Sequence, residues 1–206
     1  MEFEKLIQIK RKKIDFSSIV FTSKTRKWCQ LPYKNNKKCP NYNSNPNCPP
    51  KCHFNKERLY SYNHFFLIYA DFDFKKYCHL RREENKDNME YWTEDRIKSL
   101  LYWQSSVINL LRNELSFIIS SNPKNKIYLL CSGSGNYYKS LNLRQDNYLS
   151  MESAGIYVFG TLMNNGFQIN IDFELKPRTK ILLICLLCSD KDLKFSKQKK
   201  LIPKQL

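Results

Sequence analysis

Four cysteines lie within one short segment of the sequence, at Cys29, Cys39, Cys48 and Cys52. Thiolates bind zinc and iron well, and an ion that they share can order a chain that has no hydrophobic face. The segment around them is rich in Asn, Pro and Lys and shows neither helical nor strand periodicity. Because ordering such a stretch costs about 1–2 kcal/mol of backbone entropy per residue, we expect a bound metal to compensate.

The spacing of the cysteines favours a metal site without identifying the metal. Only Cys48 and Cys52, with three residues between them, have a spacing common in chelating pairs, and the other intervals match neither zinc-finger nor ferredoxin patterns. Cys131, at the end of a predicted strand, is the alternative to Cys52 as a fourth ligand. Because the segment has almost no histidine, an iron–sulfur cluster is favoured over Zn²⁺. Cys185 and Cys188 lie in a predicted strand and are expected in the core.

Composition indicates a folded protein of one domain. The chain has 206 residues, 42% hydrophobic and 14% aromatic, which excludes a disordered class, and only five glycines, which argues against Gly-rich phosphate-binding loops. We expect no signal peptide, and the longest apolar run, residues 181–188, is too short to span a bilayer. A cytoplasmic location is therefore expected, where clustered cysteines bind metal more often than they form disulfides.

The formal net charge of +16 permits a second hypothesis, a basic nucleic-acid-binding module whose metal is structural. Trp28 and Tyr33 would stack on bases of RNA or DNA, while Lys34, Lys37 and Lys38 would contact phosphates. Lysines spread evenly over a surface would explain the same charge without any such partner. A third hypothesis is a redox or sulfur-transfer enzyme that uses an exposed thiolate.

The periodicity of the sequence predicts alternating strands and helices. We expect an irregular loop over residues 28–54 and a loop or exposed helix over 75–90. A helix over 93–120 would begin at the N-cap Thr93, and a second over 150–165 would end at Gly166. The predicted strands are residues 4–10, 16–23, 64–74, 127–131, 167–173 and 180–188.

These elements indicate a single α/β domain over residues 1–190, with a small mixed sheet, two main helices and a long cysteine-rich metal-binding loop at 28–54. Residues 191–206 are expected to form a basic flexible tail. The unit from 64 to 131 has the length of a right-handed crossover between parallel strands. It would bring Asp71, Asp73 and Cys131 to the sheet edge where open α/β sheets place their sites.

Several motifs resemble an uncharacterised family of small cysteine-rich prokaryotic proteins described as predicted metal-binding. The resemblance implies that Cys29, Cys39 and Cys48 are metal ligands, with an iron–sulfur cluster as the candidate metal group, and that Cys131 joins them. Two features depart from the family pattern: Lys38 replaces an expected glycine, and the cysteine expected just before the last motif lies earlier, at Cys131. The matching motifs are Trp28-Cys29-x-Leu31-Pro32-Tyr33, Cys39-Pro40-Asn41-Tyr42, Cys48-Pro49-Pro50, Tyr102-Trp103-Gln104 and Glu152-Ser153-Ala154-Gly155-Ile156-Tyr157-Val158-Phe159.

Overall fold

The computed structural model shows one five-stranded sheet with helices, a mixed α/β architecture as predicted. It describes residues 3–32, 38–88, 90–93, 96–97, 102–132, 140–141, 143, 148–169 and 181–195. The strands are β1 (Ile7–Ile14), β2 (His64–Phe72), β3 (Ile127–Cys131), β4 (Tyr148–Ser150) and β5 (Ile181–Ser189). The helices are α1 (Lys24–Lys27), α2 (Lys56–Leu59), α3 (Phe74–Glu84), α4 (Tyr102–Ser121) and α5 (Val158–Asn164), with short 3-10 turns at Phe3–Leu6, Phe16–Ser18, Trp28–Gln30 and Lys86–Asn88.

The sheet has the strand order β1-β2-β5-β3-β4. Strand β5 lies in the middle and pairs antiparallel with both β2 and β3, and only β3 and β4 pair in parallel. The two strands of the predicted crossover therefore run in the same direction, but β5 separates them. The uniformly apolar sequence of β5 explains its central place, because a central strand covered on both faces has no solvent-facing positions.

Both faces of the sheet are covered by apolar side chains. Alternate residues of β2 enter different clusters: Phe66 and Ile68 join the cluster beneath α3 and α4, whereas Phe65 and Leu67 join the cluster beneath α5. We call these the α4 face and the α5 face. Helix α4 contributes a stripe at helical spacing to its face, and burial of each such large side chain stabilises the fold by roughly 1.5–3 kcal/mol. The stripe consists of Val107, Leu111, Leu115 and Ile118.

The expected cluster of Asp71, Asp73 and Cys131 does not form. The Asp71 carboxylate accepts a hydrogen bond from Lys10 of β1 at 2.6 Å. Asp73 caps α3, since its side chain accepts a hydrogen bond from the backbone N–H of Lys76 at 3.0 Å. Cys131 lies two strands away from β2, across β5. Both acids thus have structural partners, which explains their positions at the end of β2.

Two signals of helix ends in the sequence have the expected hydrogen bonds. The described part of α4 begins at Tyr102, and residues 94–95 and 98–101 of the predicted helix lie outside the described residues. Thr93 Oγ1 accepts a hydrogen bond from the backbone N–H of Arg96 at 3.3 Å, as expected of an N-cap. Gly166 has a φ of +76° and ends α5 with backbone hydrogen bonds from Gly166 N to Met163 O and from Phe167 N to Leu162 O. That pair of bonds is the Schellman arrangement that favours glycine.

Several predicted elements were wrong in extent or type. The predicted helix over 150–165 begins only at Val158; before it come β4 and a series of turns over 151–155. Residues 16–23 form a 3-10 turn and one isolated bridge between Phe21 and Ile156, not a strand. The first strand lies at Ile7–Ile14 rather than 4–10. Residues 75–90, predicted as a loop or an exposed helix, contain most of helix α3. Of the predicted strand 167–173, residues 167–169 lack regular structure and 170–173 lie outside the described residues.

The chain after β5 packs against the end of α4. Leu193 is buried, and the backbone N–H of Lys194 donates to Asn122 Oδ1 at 2.8 Å. Residues 196–206 of the predicted tail lie outside the described part of the chain. Among the helices that the structure describes, none combines the length and apolar character needed to cross a bilayer.

Candidate metal centre

The cysteine segment forms two pairs of neighbouring thiols. The backbone N–H of Cys39 donates to the carbonyl of Cys29 at 3.3 Å, which joins the ends of a large loop. The chain then runs through consecutive turns, and the backbone N–H of Cys52 donates to the carbonyl of Cys48 at 3.1 Å. Cys29 thus lies beside Cys39, and Cys48 lies one turn before Cys52.

The two pairs lie near enough to each other that thiols of both pairs influence the pKa values of Cys29 and Cys48. Burial raises the pKa of Cys29, and the Cys39 thiol, the Glu152 carboxylate and the Cys52 thiol raise it further. Burial also raises the pKa of Cys48 to about 11, with further contributions from Cys29, Cys52 and Cys39. We call these four residues the cysteine group. At neutral pH the thiols of Cys29 and Cys48 are protonated and uncharged.

The cysteine group has the sulfur donors that a thiophilic metal prefers, but these donors are not already arranged around a single ion. Within the described ranges, no three or more His, Cys, Asp or Glu side chains are arranged to hold one ion. Four sulfur donors in one place match the preference of zinc and iron–sulfur clusters. Neutral thiols have no charge that draws them to a common centre, and a cation binds them only by displacing their protons. The donor atoms therefore fit such a metal, and the four thiols would move into a common coordination sphere when the metal binds.

A row of four consecutive carbonyls holds the cysteine segment against the sheet. These carbonyls belong to the turns at 151–155, directly after β4, and each accepts a hydrogen bond from Cys52 or from a residue that flanks the cysteine segment. We call this row the carbonyl bracket. Its bonds are Thr25 Oγ1 to Glu152 O at 3.1 Å, Arg26 Nη1 and Cys52 Sγ to Ser153 O at 3.4 and 3.5 Å, Asn55 N to Ala154 O at 3.1 Å, and Thr22 N to Gly155 O at 2.8 Å.

Arg26 ties the bracket to Cys52. Its Nη2 donates to the carbonyl of Cys52 at 2.5 Å while its Nη1 reaches Ser153. Burial raises the pKa of Cys52, and the positive charge of Arg26 partly opposes that effect. One guanidinium thus fixes the backbone of Cys52 and favours the thiolate that a metal would require.

Gly155 is required where the bracket meets the segment. Its φ is +89°, a conformation that residues with a Cβ rarely adopt. A Cβ built at this position would lie 2.2 Å from the ring of Phe54, which follows the cysteine segment. The sequence predicted a helix over this turn, so the role of Gly155 was not predicted. A glycine inside a helix costs about 1 kcal/mol relative to alanine, and its presence here was the sequence signal against a helix.

The other candidate ligand, Cys131, lies on the α4 face, away from the cysteine group. It is fully buried and forms a hydrogen bond with the side chain of Cys185, its cross-strand partner. Burial, together with this bond, raises the pKa of Cys131 well above its usual value. Neighbouring Leu130 enters the cluster of the α5 face, because successive strand residues alternate between faces. Cys185 and Cys188 enter opposite clusters in the same way, which confirms their predicted core positions.

The predicted nucleic-acid contacts are described in part. Trp28 and Lys38 are exposed, next to the first two cysteines. Tyr33, Lys34 and Lys37 lie outside the described residues.

Comparison with known proteins supports a metal-related role. A family model described as "Predicted metal-binding protein (DUF2284)" matches residues 12–187, which include the cysteine group and the carbonyl bracket. This match confirms the predicted resemblance to an uncharacterised metal-binding family. Searches among curated proteins and among solved structures found no matching chain.

Proposed function

Since the chain belongs to this family of predicted metal-binding proteins, we propose that it is a metalloprotein whose ligands are Cys29, Cys39, Cys48 and Cys52. One observation carries the proposal: four thiols from an irregular, Asn- and Pro-rich segment lie within electrostatic reach of one another. A segment without a hydrophobic face gains little by gathering its sulfurs unless a metal binds them.

The proposed metal is an iron–sulfur cluster, with Zn²⁺ as the alternative. The cysteine group contains sulfur donors, and His53, the histidine next to it, is exposed. Four thiolates suit both [2Fe–2S] or [4Fe–4S] clusters and structural zinc. When bound, a cluster would supply one-electron transfer, whereas zinc would stabilise the fold.

Cys52 is a better fourth ligand than Cys131 on the geometry of the described residues. Cys52 Sγ donates to Ser153 O of the carbonyl bracket and Cys52 interacts with Cys29 and Cys48, while Cys131 belongs to the cluster of the α4 face and interacts with Cys185. For Cys131 to join, its strand end would have to leave the sheet. The carbonyl bracket would hold Cys52, through Ser153 and Arg26, while the other ligands close on the metal.

A thiol-based redox or sulfur-transfer enzyme is less well supported. Such enzymes rely on a thiolate whose pKa is lowered by cations or a helix N-terminus. Here burial raises the pKa of Cys29, Cys48 and Cys52 instead. A location in the reducing cytoplasm, where these thiols would stay available to a metal, forms part of the proposal.

The test is anaerobic purification followed by iron, sulfide and zinc analysis and an absorption spectrum. A brown protein with iron and sulfide in equal amounts indicates a cluster, and stoichiometric zinc without colour indicates the alternative. Single Cys→Ser variants of the cysteine group should lose the metal, while Cys185→Ala should retain it. Wild-type protein with neither iron nor zinc would refute the proposal, and loss of metal in Cys131→Ala but not in Cys52→Ser would overturn the ligand set.

A further inference from the structure

Three aromatic rings form a row on the surface beside the cysteine group. The ring of Tyr157 lies between Trp28, at a centroid distance of 5.9 Å, and Phe159, at 6.2 Å. Both neighbours meet it nearly edge to face, with interplanar angles of 81° and 77°. The outer two rings remain accessible to solvent, with 39% of Trp28 and 41% of Phe159 exposed. Large aromatic rings side by side on a surface indicate a binding site more often than chance.

Helix α5 continues this row of rings with apolar side chains on its solvent-facing side. Its inward residues Val158 and Leu162 enter the core, as an amphipathic helix requires. The outward positions, however, include Phe159 and Met163, both exposed, and α5 has no charged residue; Asn164 at its last position is the exposed polar residue. An outward helix face normally carries polar side chains. The apolar outer face of α5 therefore continues the exposed surface of Trp28 and Tyr157.

Positive charge is concentrated in the same part of the sequence. Residues 16–56 include eight Lys and Arg residues and no Asp or Glu. Lys24 and Lys27 are exposed on α1, which leads directly into Trp28. Lys24 and Trp28 are four residues apart in continuous helical turns, so they share one side of the chain. This segregation of charge is not expected if lysine is merely frequent throughout the protein.

We propose that this aromatic and basic surface binds a single-stranded polynucleotide. Unpaired bases would stack on Trp28 and Phe159, and the ammonium groups of Lys24 and Lys27 would contact phosphates. Stacking on exposed rings requires unpaired bases, which excludes a duplex. Phosphates account for the cations and bases account for the rings, whereas an acidic protein partner would account for the cations alone.

The surface does not depend on the proposed metal. Trp28 is held by its contact with Tyr157, and α1 is held by the hydrogen bond from Thr25 Oγ1 to Glu152 O. Nucleic-acid binding and metal binding can therefore fail separately. Affinity should persist in the Cys39→Ser variant, provided that the variant remains folded by circular dichroism.

The test is fluorescence anisotropy of the full-length protein with labelled oligouridylate and oligothymidylate at several salt concentrations. We expect Trp28→Ala and Phe159→Ala each to weaken binding by about tenfold, and Trp28→Phe to retain most of the affinity. The matched control is Phe117→Ala on α4, where 44% of the side chain is exposed on the other face. This control should bind as the wild type does.

The contribution of charge is tested with a matched pair of double variants. Lys24→Gln with Lys27→Gln should reduce the slope of log K against log salt by about 1.4, since each phosphate contact to a single strand contributes about 0.7. Lys124→Gln with Lys126→Gln removes the same charge in the exposed turn after α4 and should leave the slope almost unchanged. Equal losses in both double variants would overturn the proposal. So would tighter binding to a duplex, to polyglutamate or to phosphatidylserine vesicles than to the oligonucleotides.

Discussion

The cysteines of the cysteine group and those of the sheet occupy two contrasting environments. Cys131, Cys185 and Cys188 lie in the sheet, are fully buried, and fill space between apolar side chains. The cysteine group lies in a chain of turns, where Cys29 and Cys48 remain partly exposed. In the sheet, packing and backbone pairing stabilise the fold whatever the thiols do. The cysteine group is held by backbone hydrogen bonds of its turns and by the carbonyl bracket, and the proposed metal would add to these.

The contrast shows that proximity of thiols does not by itself identify a metal site. Cys131 and Cys185 are direct cross-strand partners, and their side chains interact. Both lie within β-strands, and backbone pairing of β3 with β5 brings them side by side. The cysteine group combines close thiols with a segment that lacks a core of its own.

Removal of the metal should separate the two regions most strongly. We expect a chelator under reducing conditions to raise the rate of proteolytic cleavage within residues 38–54 by tenfold or more. The reason is that structural zinc sites contribute about 10–16 kcal/mol of apparent binding free energy. Amides of β2 and β5 should keep their protection against hydrogen exchange. Mass spectrometry of the fragments and of exchange in the same samples measures both. Equal loss of protection in the sheet would contradict the separation.

Gly155→Ala should detach the cysteine segment from the sheet. The positive φ and the collision with Phe54 together should lower the free energy of unfolding by about 3 kcal/mol or more. Gly166→Ala is the matched control, because its φ of +76° is also positive but its nearest neighbour, Lys12 Nζ, is 3.8 Å from the built Cβ. It should cost about 1 kcal/mol. Denaturant unfolding of both variants measures the difference, and equal losses would show that the contact with Phe54 is unimportant.

Cys188→Ser, in the core of the sheet, should lower stability without affecting metal content. A hydroxyl at this fully buried position should lower the free energy of unfolding by about 2 kcal/mol if it finds no hydrogen-bond partner. Metal content should stay at the wild-type value. Cys48→Ser should show the reverse pattern, with loss of metal and little change in the stability of metal-free protein. Elemental analysis and denaturant unfolding on the same preparations decide between these patterns.

The smallest effect concerns the pH dependence of the metal-free protein. The pKa of Cys48 is raised from 9.0 to about 11, chiefly by burial, so the folded state favours the protonated thiol. Stability from this group is complete below pH 9, where the thiol of the unfolded chain is also protonated, and is lost as the pH rises toward 11. Thermal unfolding midpoints of the metal-free wild type and Cys48→Ser should therefore agree below pH 9 and separate as the pH rises toward 11, because only the wild type loses stability over this interval. Parallel curves would mean that the thiol does not titrate as described.

Local sequence signals predicted the elements whose residues interact with near neighbours. The helical spacing in α4, the apolar run of β3 and the glycine at the end of α5 each depend on residues within a few positions of one another. The cysteine segment was also recognisable, because its composition and its thiols lie in one stretch of chain. The choice between Cys52 and Cys131 could not be predicted, because it depends on which parts of the chain surround each residue in the fold.

The order of residues alone determined that this chain has an apolar core, a thiol-rich segment without hydrophobic periodicity, and a block of positive charge around it. Tertiary structure decided that β5 lies between β2 and β3, that Cys131 lies beside Cys185 in the cluster of the α4 face, and that four carbonyls after β4 hold the segment. Helical spacing and composition are properties of neighbouring residues. Strand order and the carbonyl bracket join residues far apart in the sequence, such as Thr25 and Glu152, which are 127 positions apart, and no local pattern specifies such pairs.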